Sequence, residues 1–384
     1  MNDVSAVKIG RIDLWLFGAV LLLLVFSAAS VYSASITISE IRHGAPDAVY
    51  KSHILRVVLA LVALLIGVVV DYRIYMRLSK IAIIMGVALL VLTLFEGTVV
   101  NGARRWLELG PLKFQPSEFV KYALVFHIAT IAVMKNERIG TFKDGFLKTY
   151  AWIMISTVLI IVQPNFSTAA VVLLIGTVMA YACGVKVKYI GASLAAALPL
   201  VVLYAFSAPY RVQRIVSFFG LGDGSDTRVD ASRYQVEQAI IGLGSGGIMG
   251  VGMGMSKQRE LFLPESYSDF VFAIVGEEYG FIGALLILFL FALITLRGVR
   301  IAKNVQDDYG RYLAFGITSV IAIYSIINAG VSVGLLPTTG LPMPFISYGG
   351  TSLIISGYVV GVLLNISTNT RIRPRAYEEA AADA

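Results

Sequence analysis

The sequence predicts an all-α polytopic membrane protein with about ten transmembrane helices. Hydrophobic residues make up 57% of its 384 residues and charged residues only 14%, whereas about 25% of the residues in soluble domains are charged. Apolar runs of roughly 18–25 residues recur along the chain, and this is the length that crosses a bilayer. These observations exclude a soluble fold, and the pattern gives no sign of a nucleic-acid-binding module.

Hydropathy places the ten spans one after another, and the breaks between them contain charges, Pro or Gly, as loops do. Small residues after the first span imitate a signal-peptide cleavage site, but the length of that span and the spans that follow favour a retained anchor. The predicted spans lie near residues 13–33, 54–70, 79–95, 116–134, 147–163, 167–184, 189–206, 269–296, 312–333 and 351–369.

An even number of spans places both termini on one side of the membrane. The short loops on that side hold most of the 31 basic residues, so the positive-inside rule places both termini in the cytoplasm. The longest loop, about residues 207–268, is then extracytoplasmic and lies between the seventh and eighth helices. We expect a single transmembrane domain over residues 1–384 that ends in a short disordered tail at about 371–384.

Charged residues on the outer side are exceptions to this rule and indicate that the chemistry occurs there. The cations at the start of the long loop alternate with apolar residues, which is also typical of an interfacial helix, and the others are equally suited to binding lipid phosphates. These outer residues are Arg104, Arg105, Lys113, Arg211, Arg214 and the carboxylate Asp269.

Asp269 opens the eighth predicted span, where it is either a helix N-cap or a functional carboxylate. Small residues at 273, 276, 280 and 283 fall within about 40° of the same helical line, so a neighbouring helix can approach closely. Glu277 and Glu278 follow inside the bilayer, where acids are costly and face a partner or a cavity. We expect them to pair within the bundle, with Lys121 as the partner.

Two further outer segments have irregular composition. The glycine-rich stretch at 239–254 matches a phosphate-binding loop poorly, and it favours a flexible or re-entrant backbone instead. The last outer loop has three prolines and no charge, so it either lines a groove or forms a rigid plug. Before the fourth span, Glu118 and Lys121 are spaced to pair locally, although Lys121 is alternatively a free cation in a cavity.

The segments that carry these features together resemble the SEDS family (shape, elongation, division and sporulation), which includes FtsW and RodA. The resemblance covers nearly the whole chain. Its motifs are RRWLELGPLKFQPSEFVK at 104–121, AIIGLGSGGIMGVGMG at 239–254, LPESYSDFVFAIVGEEYG at 263–280 and LPTTGLPMPFISYGGTSL at 336–353. Gly276 and the PTTG sequence at 337–340 favour the FtsW, cell-division branch over the RodA, elongation branch.

The resemblance implies ten transmembrane helices and a peptidoglycan glycosyltransferase in the bacterial cytoplasmic (inner) membrane. Such enzymes polymerise lipid II on the extracytoplasmic face with an undecaprenyl-pyrophosphate-linked donor. They work with a class B penicillin-binding protein transpeptidase and other cell-division proteins. Asp269 matches the essential aspartate of the family, whereas Asn165 replaces an acid that many members have, so we assign it no catalytic role.

In the implied mechanism Asp269 is the catalytic base that accepts the proton of the acceptor hydroxyl. No cofactor is required by the sequence; a divalent cation, Mg²⁺ or Mn²⁺, is an additional candidate, although no His, Cys and Asp cluster has metal-site spacing. Glu118, Glu277 and Glu278 are the structural or cavity acids. The candidate substrate-binding residues are Arg104, Arg105, Lys113, Lys121, Arg211, Arg214, Gln235, Gln238 and Ser347.

Two other classes of function use the same residues. A flippase for a lipid-linked precursor would use the cations and a cavity, with Glu277 and Glu278 as relay residues. No inverted repeat relates the two halves of the sequence, which disfavours this class. A non-catalytic scaffold would recruit a transpeptidase and would not depend on Asp269.

Overall fold

The computed structural model describes residues 11–100, 103–110, 112–206, 227–264 and 266–370, together with Val212. This part of the chain is mostly helical, as the sequence predicts. The predicted tail at 371–384 lies outside the described residues, as do Arg211 and Arg214. The helices are α1 Leu14–His43, α2 Ala48–Val69, α3 Arg73–Glu96, α4 Pro116–Lys135, α5 Leu147–Val162, α6 Phe166–Ala182, α7 Val187–Phe206, α8 Thr227–Ser245, α9 Val271–Asn304, α10 Asp308–Ser332 and α11 Thr351–Ser367.

Apolar helices overlap each of the ten predicted spans. Seven helical segments of 21–34 residues are long and apolar enough to cross a membrane, within the part of the chain that is described. Three further apolar helices are shorter, at Phe166–Ala182, Val187–Ala197 and Thr351–Ser367. The first helix continues to His43, about ten residues beyond its predicted end.

Close backbone contact joins α2 to α11. A Cβ atom added to Gly357 would lie 2.4 Å from the carbonyl oxygen of Ala60, and one added to Gly67 would lie 2.3 Å from that of Tyr358. Only glycine allows this approach, which is how small residues bring membrane helices together. A second link is an ion pair at 2.6 Å between Arg297 of α9 and Asp13, which connects α9 to the start of α1.

A small antiparallel sheet between α3 and α4 corrects the all-α prediction. Its strands are β1 Thr98–Val100, β2 Ala103–Leu109 and β3 Leu112–Phe114, in the order β1-β2-β3. Turn residues such as Gly110, at φ 63°, connect strands that are too short to produce a clear alternating pattern in the sequence. The sheet therefore holds the outer residues Arg104, Arg105 and Lys113 on ordered strands.

The segment before and within α9 also differs from the prediction. The expected long loop contains the helix α8, and α9 starts at Val271, so Asp269 precedes the helix. The helix then breaks at Gly280, whose φ of 66° and ψ of −164° are not helical. The predicted line of small residues is therefore interrupted, although its first part does pack closely: a Cβ atom on Gly276 would lie 2.2 Å from Leu243 of α8.

Candidate functional site

Asp269 is half-buried in the turn that leads into α9. The N-cap position of the helix is Phe270, so the alternative interpretation of Asp269 as the N-cap residue is wrong. The amide nitrogen Nδ2 of Asn328 on α10 donates to the carbonyl oxygens of both Asp269 and Leu341, each at 2.8 Å. This one side chain therefore joins the Asp269 turn to the last outer loop.

The carboxylate of Asp269 borders that loop. A Cβ atom added to Gly340, which has a φ of 67°, would lie 3.4 Å from Oδ2 of Asp269. Farther along the loop, the backbone N–H of Tyr348 donates to the carbonyl oxygen of Tyr267 at 2.9 Å. The proline-rich loop is thus attached to the segment before α9 at Tyr267 and, through Asn328, at Asp269. It lines one wall of the surroundings of the Asp269 carboxylate.

The same loop is stabilised from within and from the sheet. Ser347 is 2% exposed, and its hydroxyl accepts a hydrogen bond from the backbone N–H of Met343 at 2.7 Å. The Thr351 hydroxyl donates to the carbonyl oxygen of Lys113 at 2.9 Å and accepts from the backbone N–H of Gln115 at 3.1 Å. Ser347 therefore supports the loop fold, and the strand that carries Lys113 is attached to the start of α11.

Lys121 and Glu118 form a buried ion pair with an Nζ–Oε2 distance of 2.7 Å, and their side chains are 2% and 4% exposed. The local pairing predicted from their spacing is confirmed. The expected pairing of Lys121 with Glu277 or Glu278 is wrong, because the lysine reaches an acid one turn away on its own helix. The Lys121 ammonium also lies 3.8 Å from the ring centroid of Tyr324 on α10, one turn from Asn328.

Glu277 and Glu278 instead bind residues 254–258, in the stretch between α8 and Asp269. Glu277 accepts hydrogen bonds from the Ser256 hydroxyl and from the backbone N–H groups of Lys257, at 3.0 Å, and Gln258, at 3.3 Å. Glu278 accepts from the Ser33 hydroxyl on α1 and from the backbone N–H of Gly254 at 3.1 Å. The two acids thus accept hydrogen bonds from a loop backbone within the bundle.

The glycine-rich segment docks into the break of α9 by backbone pairing. The N–H groups of Val251 and Gly252 donate to the carbonyl oxygens of Glu277 and Glu278, at 3.0 and 3.1 Å. Beyond the break, the N–H of Phe281 donates to the carbonyl oxygen of Gly247 at 2.9 Å. These bonds satisfy backbone groups that a helix break would leave unpaired. They explain the glycine-rich composition of this segment by close backbone contact, without a bound nucleotide.

Two of the cations that the sequence places on the outer side contact backbone carbonyl groups. Nη1 of Arg104 donates to the carbonyl oxygen of Phe95 at 2.7 Å, so it caps the end of α3. Arg105 donates to the carbonyl oxygen of Pro164, in the turn between α5 and α6. The Lys113 side chain is exposed, and Gln235 and Gln238 are half-buried on α8.

One charged residue was missed by the sequence reasoning although it carried a signal. Arg56 lies in α2, two residues after the start of the predicted span 54–70, and an arginine that borders an apolar run usually marks a functional site or a specific partner. Its guanidinium carbon lies 4.4 Å from the ring centroid of Tyr348, in the loop that borders Asp269. No group of three or more His, Cys, Asp or Glu side chains in the described ranges is arranged to hold a metal ion.

Comparisons with known proteins agree with this architecture. A family model described as cell cycle protein (FtsW, RodA and SpoVE) matches residues 14–372. The chain is 38% identical over 373 residues to stage V sporulation protein E of Bacillus subtilis, with 94% of this chain and 98% of that protein covered. It is 35% identical over 375 residues to the probable peptidoglycan glycosyltransferase FtsW of Trichlorobacter lovleyi, with 97% of each covered.

Two solved structures share the fold. One comes from work on the structural coordination of polymerization and crosslinking by a peptidoglycan synthase complex; it has a TM-score of 0.75 and 24% identity, and 93% of this chain and 98% of that chain are covered. The other is the rod shape determining protein RodA of Thermus thermophilus, with a TM-score of 0.66, 23% identity and coverage of 97% and 100%. The chain therefore belongs to the family of FtsW, RodA and SpoVE, the SEDS family that its motifs resemble.

Proposed function

We propose that the chain is a peptidoglycan glycosyltransferase that polymerises lipid II at the outer face of the bacterial cytoplasmic membrane. Relatives that are about a third identical over their whole length are named as such enzymes, which supports the proposal. The observation that carries it is the position of Asp269: a carboxylate held by its backbone at a helix start, beside a loop that lines its surroundings.

In this reaction Asp269 accepts the proton of the acceptor 4-hydroxyl group while the hydroxyl oxygen attacks the anomeric carbon of the donor. The new carbon–oxygen bond forms as the bond from that carbon to the pyrophosphate breaks. The electron pair leaves with undecaprenyl pyrophosphate, and the α-linked donor is inverted to a β-1,4 bond. The basic residues named as substrate-binding candidates would stabilise the charge that develops on the leaving group.

The same proposal sets the orientation of the chain. The ten apolar helices that overlap the predicted spans cross the bilayer, both termini are cytoplasmic, and residues of about 207–268 lie outside. The basic residues in the short inner loops support this orientation. Asp269, the sheet and the last outer loop then share the extracytoplasmic face, where lipid II is consumed.

We place the enzyme in septal synthesis, with a class B penicillin-binding protein transpeptidase as its partner. The FtsW relatives support the division role, and the likeness to a chain of a peptidoglycan synthase complex supports a partner. The alternative is a RodA-type role in elongation. Rescue of cells depleted of either the division or the elongation polymerase would distinguish these roles, since each role predicts rescue of only one strain.

A divalent cation, Mg²⁺ or Mn²⁺, stays a prediction. The described residues offer Asp269 but no cluster of acids around it, so the cation would be bound chiefly by substrate phosphates together with one carboxylate, as Mg²⁺ often is. Such a cation would neutralise charge on the pyrophosphate. Titration of polymerisation with EDTA, followed by re-addition of Mg²⁺ or Mn²⁺, tests this prediction.

The decisive experiment supplies fluorescent lipid II to the purified protein with its transpeptidase partner and separates the products on a gel. Wild type should give glycan ladders, and Asp269→Asn should lose activity by at least about a hundredfold, as expected for a removed general base. Asp308→Asn is the matched control, because Asp308 is an exposed carboxylate at the start of α10. Undiminished ladders from Asp269→Asn would remove this residue from the mechanism, and no ladders from wild type would lead to a lipid-flipping assay.

A further inference from the structure

The α2 helix carries an arginine within its apolar length. Arg56 lies eight residues after the start of the helix at Ala48, which is roughly 12 Å along its axis. It is half-buried, and it forms no ion pair with any carboxylate that the structure describes. It is also the third residue of the predicted span 54–70, so it lies where the apolar part of the helix begins. A cation there is costly unless it meets an anion or water, so its surroundings indicate what it binds.

The contacts of Arg56 leave hydrogen-bonding capacity unused. Its guanidinium lies over the Tyr348 ring, but a cation–π contact satisfies charge and not N–H donors. The nitrogen Nη1 is fully buried and has no hydrogen-bond partner among the described residues. An arginine presents its donors as a rigid fork that matches phosphate oxygens.

His53, one turn earlier on the same face of α2, borders the same loop. The Ser27 hydroxyl donates its single proton to the carbonyl oxygen of Ile346 at 2.8 Å, so it must accept from the Nε2–H of His53 at 2.7 Å. The other ring nitrogen, Nδ1, is buried and has no described partner. With the proton on Nε2, the Nδ1 atom of the neutral ring is an acceptor, so Arg56 supplies the unused donor beside Tyr348. The ring centroids of Tyr348 and His53 lie 5.8 Å apart.

This pair of side chains adjoins the Asp269 turn. Tyr348 donates its backbone N–H to Tyr267, and their rings lie edge to face at 5.3 Å. Tyr267 precedes Asp269 by two residues, and its hydroxyl accepts a hydrogen bond from the exposed Arg42 at 3.5 Å. One loop thus contacts Arg56 through Tyr348 and the Asp269 carboxylate through Gly340.

We propose that Arg56 binds the phosphate group of a membrane lipid between α2 and the loop that carries Tyr348, and that this lipid is an isoprenoid pyrophosphate. The apolar residues around Arg56 receive the isoprenoid chain, while the guanidinium donates to the phosphate oxygens. The choice of an isoprenoid lipid rests on the proposed function. Arg56 is then a positioning residue for a substrate whose sugar reaches Asp269.

The test measures binding of undecaprenyl pyrophosphate to the purified full-length protein by native mass spectrometry, without turnover. Arg56→Gln should weaken binding by about tenfold to a hundredfold, the range for one lost charge-assisted hydrogen bond, and Arg56→Lys should fall between this variant and wild type. Arg77→Gln, which removes an exposed arginine from α3, is the control and should bind as wild type does. Undecaprenol, which has no phosphate, should bind all four proteins equally weakly.

Three outcomes would overturn the proposal. The first is equal binding of undecaprenyl pyrophosphate to Arg56→Gln and wild type. The second is displacement of the isoprenoid by an equal concentration of phosphatidylglycerol, which would identify the site as one for a phospholipid headgroup. The third is an equal rise in the melting temperatures of Arg56→Gln and wild type on addition of undecaprenyl pyrophosphate, since a ligand held by Arg56 stabilises wild type more.

The binding assay also separates this proposal from the proposed function. Wild type that binds the pyrophosphate through Arg56 but forms no glycan would refute the polymerase and leave the site in place. Wild type that forms glycan while Arg56→Gln binds and polymerises normally would refute the site alone.

Discussion

Replacing Glu277 by glutamine should destabilise the protein more than it lowers the activity of the folded fraction. The carboxylate is 2% exposed. One oxygen accepts from the backbone N–H of Lys257 and from the Ser245 hydroxyl, and the other from the Ser256 hydroxyl and the backbone N–H of Gln258. A glutamine keeps one acceptor oxygen and places an NH₂ group at the other position.

The size of the stability loss depends on which hydrogen-bond donors around residue 277 can turn into acceptors for the new NH₂ group. A serine hydroxyl facing the NH₂ group can rotate and accept from it, but a backbone N–H cannot reverse. One backbone hydrogen bond to a charged acceptor is lost and its N–H is left buried. The first loss amounts to about 1.5–3 kcal/mol and the second to about 1–3 kcal/mol, and removal of the buried charge offsets part of both. The net loss should be about 2–4 kcal/mol.

The measurement compares thermal unfolding in detergent with lipid II polymerisation per folded molecule. Glu260→Gln is the matched control, because Glu260 lies in the same segment with an exposed side chain, and it should match wild type in both assays. Ser256→Ala should show a smaller loss of stability than Glu277→Gln, since it removes one of the four donors. A Glu277→Gln protein that unfolds like wild type yet forms no glycan would refute this reasoning and indicate a direct catalytic role.

Three other substitutions test neighbouring parts of the structure. Lys121→Met should cost about 3–5 kcal/mol of stability because it leaves Glu118 charged and buried; the double variant with Glu118→Gln should recover most of the melting temperature, and no recovery would argue against the pair. Gly250→Ala should strongly destabilise the protein, because φ is 84° and the new Cβ would lie 2.1 Å from a carbonyl oxygen; Gly244→Ala, which meets no atom within 4 Å, should be tolerated in the same unfolding assay. Asn328→Ala should lower lipid II polymerisation per folded molecule, because it removes the amide that donates to the carbonyl oxygens of Asp269 and Leu341. Asn328→Asp, which also lacks the NH₂ group, should lower it too. Normal polymerisation by both variants would show that the Asp269 turn keeps its position without this amide.

Hydropathy predicts the helices well because burial in lipid demands long apolar runs. It places the start of α4 at Pro116 correctly, and the spacing of Glu118 and Lys121 correctly predicts their ion pair. Both features depend on residues that are close in sequence. A proline at the first helical position and charges three residues apart have the same meaning in any fold.

The features that the sequence does not predict depend on contacts between distant segments. Nothing local indicates that Glu277 receives its hydrogen bonds from residues 256–258, or that α9 breaks at Gly280. The glycine-rich stretch indicated an irregular backbone, but its partner could be found only in three dimensions. Arg56 differs from these features because it is visible in the local sequence. A hydropathy average over a whole span is little changed by one charged residue, so it does not reveal this arginine.

The break at Gly280 has a consequence for the order in which the chain is made. The segment at 247–252, which pairs with both sides of the break, leaves the ribosome before the helix that needs it. Broken helices are unfavourable in lipid while their backbone groups are unpaired. The pairing closes a loop of only about thirty residues, for which the entropic penalty is small. The two segments should therefore enter the membrane as one unit, and variants that delay their pairing should be degraded during synthesis even where the mature protein would be active.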